Sequence, residues 1–253
     1  GLAVDPDFAT NRWIYLSYTV DPNGDGVEDD EERFARVTRY RTSLASPNTC
    51  DLSSRQVLIG ATWPEGFVVT HTTHTIGTLA FGADKTLFVG SGEGAHWEVP
   101  DRGNLDVNAF NPGRTDPAED IGAFRARTLI SLTGKVLRVD KETGLGLSSN
   151  PYWDGDASSK RSRVWLYGLR NPFRFAVRPG TGSTNPADGN PGTLYIGDVG
   201  WDTYEELNVA ASGGLNFGWP CHEGPDPAAL YQAIGSTHAG NTNVLCGAAP
   251  SAE

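Results

Sequence analysis

The sequence predicts an all-β protein built from repeated strand meanders, and three observations carry that reading. Gly (31) and Pro (16) are abundant, and long stretches with helical spacing of apolar residues are missing. Seven Trp, eight Tyr and ten Phe, in a chain of 253 residues that is 38% hydrophobic, supply enough apolar surface for a large core. Third, three segments read alike: each is a short apolar strand, a turn rich in Gly, Pro and Asp, and a second apolar strand.

The first repeat, "LAVDPDFATNRWIYLSY", starts at Leu2 and is followed by the β-rich runs "RVTRYRT" (37–43) and "QVLIG" (56–60). The second, "LAFGADKTLFVGSGEG", starts at Leu79 and is followed by "KVLRVD" (135–140). Between them 93–130 reads as an insertion, being polar, rich in Gly and Pro and weakly patterned. The third, "FAVRPGTG…GTLYIGDVG", starts at Phe175 and is followed by "EELNVA" (205–210). Meanders recurring with variable loops suggest a β-propeller, the repeats being longer than the ~40–50 residues of compact blades because of loop insertions. A β-sandwich is the structural alternative. Three or four blades cannot close a ring, and the chain opens inside a strand without an initiator Met. The expectation is therefore a partly covered propeller, residues 1–253 forming one piece of a longer or processed chain.

The formal net charge of −11 argues against nucleic acid or an anionic membrane surface as partner. Much of it is local, in Asp21, Asp25, Glu28, Asp29, Asp30, Glu31 and Glu32. No apolar run approaches the ~20 residues of a membrane span. Cys50, Cys221 and Cys246 fit no metal spacing. Cys221 and Cys246 flank a polar, Gly- and Pro-rich stretch, where a disulfide would suit an exported protein; two unrelated buried thiols are the alternative.

The acidic cluster has its own pattern. Residues 21–32 match D-x-[DN]-x-[DN]-G-x5-E, with Asp21, Asn23 and Asp25 as side-chain ligands and Gly26 at the tight turn. Val27 would offer its carbonyl, Asp29 a direct or water-bridged carboxylate, and Glu32 a bidentate one. Hard oxygen donors suit calcium. The flanks are strands rather than helices, so the expectation is a structural calcium loop capping a β-hairpin, against a solvated acidic hairpin tip.

The repeat also marks a site. His74 lies five residues before Leu79, and Arg170 five residues before Phe175. Two side chains able to do chemistry thus occupy one position relative to two inner strands, whose lead-ins gather at one mouth of a propeller channel. An imidazole and a guanidinium converging there suit oxidation or hydrolysis. His71, His96, His222 and His238 read as loop or packing residues, and Trp219 as core or channel wall.

The motifs "HTIGTLAFGADKTLFVGSGEG", "GKVLRVD", "YGLRNPFRFAV", "IGDVGWDTYEELN" and "GGLNFGWPCHEG", taken in order, make the chain resemble the glucose/sorbosone dehydrogenase family from about Gly1 to Gly224. The resemblance implies a six-bladed propeller that uses pyrroloquinoline quinone (PQQ) and calcium to oxidise an aldose sugar. It implies that His74 is the general base for the anomeric hydroxyl, that Arg170 holds the quinone oxygen, and that Asn171 is a neighbouring cofactor contact. It further implies that Gly200 and Trp201 hold a catalytic calcium, and touch the cofactor, through backbone carbonyls. The expected partners are a small sugar and an external electron acceptor, and the expected location is secreted or periplasmic. Two other classes compete: a non-catalytic extracellular propeller that binds carbohydrate or protein, and a metal-dependent hydrolase of the lactonase type.

Overall fold

Alternation along Trp13–Thr19, where Trp13, Tyr15 and Ser17 are buried and the residues between them are not, is the signature of a strand with one face on the core. In the computed structural model, which describes residues 1–24, 32–46, 48–234 and Cys246, that strand belongs to the first of three consecutive antiparallel sheets. The first sheet has the order β1 (Leu2–Val4), β2 (Trp13–Thr19), β3 (Arg33–Thr42) and β4 (Cys50–Ile59), with β5 (Phe67–Val69) also on β3. The second holds β6 (Ile76–Phe81), β7 (Leu87–Ser91), β8 (Lys135–Val139) and β9 (Val164–Tyr167). The third holds β10 (Arg174–Val177), β11 (Leu194–Asp198) and β12 (Glu206–Ala210). A hairpin of β13 (His222–Glu223) and β14 (Asp226–Pro227) follows. The helices among the described residues are short: α1 (Phe8–Asn11), α2 (Lys160–Arg163), α3 (Ala229–Ile234) and a few 3₁₀ turns. None is long and apolar enough to cross a membrane.

The three sequence repeats are structural repeats in one register. Leu2 pairs with Leu16, Leu79 with Val89, and Phe175 with Ile196. Strand β6 touches β1 and β2 of the first sheet and β10 of the third, so the leading strands stand side by side. The core lies between the sheets. Tyr15, Val37, Leu79, Leu87, Val89 and Leu137 fill the space between the first and second. Phe88, Val136, Leu166, Phe175, Leu194 and Ile196 fill that between the second and third. This explains the unbroken apolar run "LFV" of β7: Leu87 and Val89 face one neighbour and Phe88 the other. Both faces are buried, so alternation disappears. Full burial of a side chain such as Phe88 contributes roughly 1.5–3 kcal/mol.

The 93–130 segment forms the predicted irregular stretch, with three 3₁₀ turns. It packs Ile121, Phe124 and Ala126 against Trp219, Cys221 and Tyr231. Arg125 and Lys135, both fully buried, stitch it to the second sheet. The Arg125 guanidinium donates to the carbonyls of Glu93, Gly94 and Glu119, and Lys135 Nζ donates to those of Arg125, Ala126 and Thr133.

Candidate functional site

His74 precedes β6 with φ at 54°, in the left-handed region that a non-glycine residue rarely adopts. Two features hold it there. Its carbonyl accepts from Gly94 N–H, and Gly92 lies so close that a Cβ would stand 2.4 Å from the His74 oxygen. In the "GSGEG" run at the end of β7, Gly92 leaves room for the His74 backbone, while Gly90 is crowded by Phe175 and Gly94 by the Val68 carbonyl. Between those glycines sits Glu93, whose Oε1 is 2.7 Å from His74 Nδ1; both side chains are nearly sealed from solvent. A carboxylate on Nδ1 favours the tautomer that carries its proton there and leaves Nε2 as the acceptor. Glu93 also reaches the third sheet, its N–H donating to the Arg170 carbonyl at 2.9 Å.

Arg170 is buried in the link between β9 and β10. Its guanidinium donates to the carbonyls of Gly200 at 2.7 Å and Val199 at 3.2 Å, and it lies over the Trp219 ring. The carboxylate of Asp198, at the end of β11, accepts the backbone N–H groups of Arg170 and Asn171 at 3.0 and 2.6 Å. Burial pushes Asp198 up to about 7, and the two N–H groups oppose that rise.

The two lead-ins are equivalent down to their partners. Counting on from the register residues Val89 and Ile196, Glu93 and Gly200 occupy the same place. His74 bonds to the first and Arg170 to the second, both at 2.7 Å. The matched spacing of His74 and Arg170 is therefore a spatial equivalence. A concave pocket of about 430 Å³ has His74, Thr73, Thr75, Asn171, Phe173 and Arg174 in its wall; Arg170 does not line it and reaches it only through its neighbour Asn171.

Gly200 and Trp201 lie on a tight turn beside this group. Trp201 Nε1 donates to the Trp97 carbonyl at 2.9 Å, and its ring meets those of Trp219 and Tyr231 edge-on. His71 packs against His96 with the rings tilted and their centroids 4.3 Å apart, and burial, then His96 and His74, lower its pKa. Trp219 is core, as its sequence context suggested. Cys221 and Cys246 form the expected disulfide, and Cys50 is free and exposed.

Of the acidic loop, Asp25, Val27 and Asp29 lie outside the described residues. Asp21 Oδ1 accepts from Gly24 N–H at 2.7 Å, closing a tight turn. Glu32 pairs with Arg114 at 2.9 Å. Among the described residues no three His, Cys, Asp or Glu side chains converge as a metal site.

Sequence reasoning missed Glu93 and Glu223. Glu223 Oε1 accepts four successive backbone N–H groups, from Trp201 to Tyr204. A lone Glu in "GSGEG" or "CHEG" gives no signal until the strands are paired.

The model of the glucose/sorbosone dehydrogenase family matches residues 1–243. The HIPL1 protein of Arabidopsis thaliana is 29% identical over 186 residues, covering 68% of this chain and 22% of that protein. Quinoprotein glucose dehydrogenase B of Acinetobacter calcoaceticus is 25% identical over 222 residues, covering 87% and 39%. The human Hedgehog-interacting protein is 26% identical over 182 residues, covering 70% and 22%. A crystal structure of a glucose dehydrogenase superposes with a TM-score of 0.59 at 26% identity, covering 88% of this chain and 49% of that one. The PQQ-bound form of an aldose sugar dehydrogenase from Streptomyces coelicolor, at 22% identity, shares the fold with a TM-score of 0.57, covering 89% and 48%. The chain thus spans about half the length of these solved structures and well under half of the curated relatives. With almost its whole length matched, the chain belongs to the glucose/sorbosone dehydrogenase family.

Proposed function

We propose that the chain is part of a six-bladed propeller that oxidises an aldose sugar to its lactone, using PQQ and calcium and passing electrons to an external acceptor. The observation that carries this reading is Glu93, which is bonded at once to the His74 imidazole and to the Arg170 backbone beside the pocket. The apolar outer face of the third sheet, with Tyr195, Leu207 and Val209 exposed, supports further sheets packing there. The disulfide supports a secreted or periplasmic location.

The residues present fit the cofactor. Arg170 Nε, Glu93 Oε2 and Trp219 Nε1 are buried without partners among the described residues, so the site holds unspent polar capacity. Arg170 and Asn171 would hold a quinone oxygen, and the Gly200 and Trp201 carbonyls are the hard donors calcium takes. When bound, PQQ supplies the acceptor for a hydride from the sugar C1. His74 Nε2 takes the proton of the anomeric hydroxyl, and Glu93 keeps the imidazole in the accepting tautomer and stabilises the cation formed. The Arg170 guanidinium stabilises negative charge developing opposite it.

Reconstituting the full-length protein with PQQ and calcium and following dye reduction by a panel of aldoses tests this. Turnover is expected, with His74→Ala abolishing it while cofactor absorbance survives desalting. No turnover and no retained absorbance in the wild type would favour the second reading, an extracellular binding module. That reading draws support from the likeness to the Hedgehog-interacting protein.

A further inference from the structure

The turn that follows β11 is gathered onto one atom. Glu223 Oε1 accepts the N–H groups of Trp201, Asp202, Thr203 and Tyr204 at 2.6, 2.8, 3.0 and 3.2 Å. These peptides are trans, since the Trp219–Pro220 bond is the cis one. In a trans peptide the carbonyl points opposite to the N–H it shares a plane with. The Trp201 N–H belongs to the Gly200 carbonyl, and the Asp202 N–H to the Trp201 carbonyl. Drawing both N–H groups onto Glu223 therefore turns both carbonyls outward, away from the carboxylate. The Gly200 oxygen shows the result, because it meets a cation, the Arg170 guanidinium, at 2.7 Å.

The turn leaves little freedom to do otherwise. A Cβ on Gly200 would lie 1.5 Å from the Tyr204 oxygen and 2.8 Å from Glu223 Oε1. The carboxylate itself is buried and braced from behind. Its neighbour Gly224 donates to Glu206 Oε1 at 2.6 Å, Tyr204 Oη donates to Asp226 at 2.9 Å, and Cys221 is anchored by the disulfide. Successive N–H groups converging on an anion form a nest, whose reverse side is a row of carbonyl oxygens.

We propose that Glu223 is a positioning residue for the cation site of this family member: through four backbone N–H bonds it presents the Gly200 and Trp201 carbonyls as calcium ligands without touching the ion. This rests on the calcium-dependent reading above. It assigns a role to a carboxylate that points away from the ion, which a search for acidic ligands would pass over.

The test uses the full-length protein carrying Asp21→Ala, so that the acidic loop does not contribute heat, and compares Glu223 with Glu223→Gln and Glu223→Ala. Amide hydrogen exchange of residues 201–204 is measured without metal, and calcium affinity by isothermal titration. Glu223→Ala should speed exchange at those four amides and weaken calcium by roughly 10–100-fold, the range for outer partners of metal ligands. Glu223→Gln keeps an acceptor oxygen for the four N–H groups and should recover most of both. Faster exchange with unchanged calcium affinity in Glu223→Ala would overturn the proposal alone. A wild-type turn that takes up no calcium would overturn the calcium-dependent reading and the proposal with it.

Discussion

Glu93 stands 2.7 Å from His74, Oε1 to Nδ1, while its backbone N–H holds the Arg170 carbonyl. One residue thereby sets the tautomer of the imidazole and the distance between the two repeats that carry the chemistry. The carboxylate matters for more than packing, since its second oxygen is buried and has no partner among the described residues. A group left in that state is costly unless something uses it.

Replacing Glu93 by Gln keeps the shape and the backbone link but removes the charge that stabilises a protonated His74. The expected outcome is a kcat lower by roughly 10–100-fold with KM little changed. Steady-state kinetics of the reconstituted full-length enzyme measure it, and the pH profile gives a second readout. Without the carboxylate, the low-pH limb of that profile, where activity rises as the general base loses its proton, should move to lower pH. A normal profile with normal kcat would reduce Glu93 to a structural contact.

The strand repeats were legible because each buries a face in a fixed rhythm, and the lead-in position of His74 and Arg170 followed from aligning them. Strand β9 escaped, since "VWLY" is short and sits between the basic run of α2 and a glycine. Both of its faces are buried, so it has no alternation to read. The partners of the two lead-in residues escaped for a different reason. Glu93 is joined to His74, and Gly200 to Arg170, only once antiparallel pairing brings the end of β7 back to the start of β6, and that of β11 back to β10. Glu223 comes from still farther along the chain, in the β13–β14 hairpin. Local pattern cannot show a contact that exists only after sheets have formed.

Stability should respond to pH through Lys135. Burial lowers its folded pKa from 10.5 to about 7, although three carbonyls receive its Nζ. Between about 7 and 10.5 the unfolded chain holds a proton on this lysine that the folded chain does not. Stability contributed at this site therefore rises with pH across that window, by at most ~1.4 kcal/mol per unit. It is flat below the window, where both states are charged. Urea unfolding from pH 7 to 10, compared with Lys135→Met, isolates the effect: the variant should lose the upward slope.

The Cys221–Cys246 bridge, with a sequence separation of 25, encloses α3 and Tyr231, whose hydroxyl receives the Asp101 N–H from the 93–130 segment. Cys246→Ser should cost roughly 3 kcal/mol through the larger entropy of the unfolded chain. It should also loosen that segment locally, because Tyr231 packs with Phe124 and Trp219. Denaturant unfolding measures the first, and hydrogen exchange at Asp101 the second. Exchange that is unchanged while global stability falls would show that Tyr231 docks without help from the bridge.

The acidic loop gives the last prediction, and Arg114 is its handle. Glu32 is the bidentate position of the proposed calcium loop, yet its carboxylate is engaged by the Arg114 guanidinium. Its own backbone N–H, then Arg114, hold it below the usual carboxylate range against the effect of burial. Calcium and arginine therefore compete for one carboxylate. A half-buried surface pair of this kind is worth about 0.2–1 kcal/mol, so Arg114→Ala should tighten calcium at the loop by roughly 1.4- to fivefold. Isothermal titration of that variant beside Asp25→Ala/Glu32→Ala decides the matter. Heats lost in the double variant and tightened in Arg114→Ala place Glu32 among the ligands. If the double variant titrates like the wild type, the loop is a solvated acidic tip, and the Glu32–Arg114 pair serves only to pin it to the 93–130 segment.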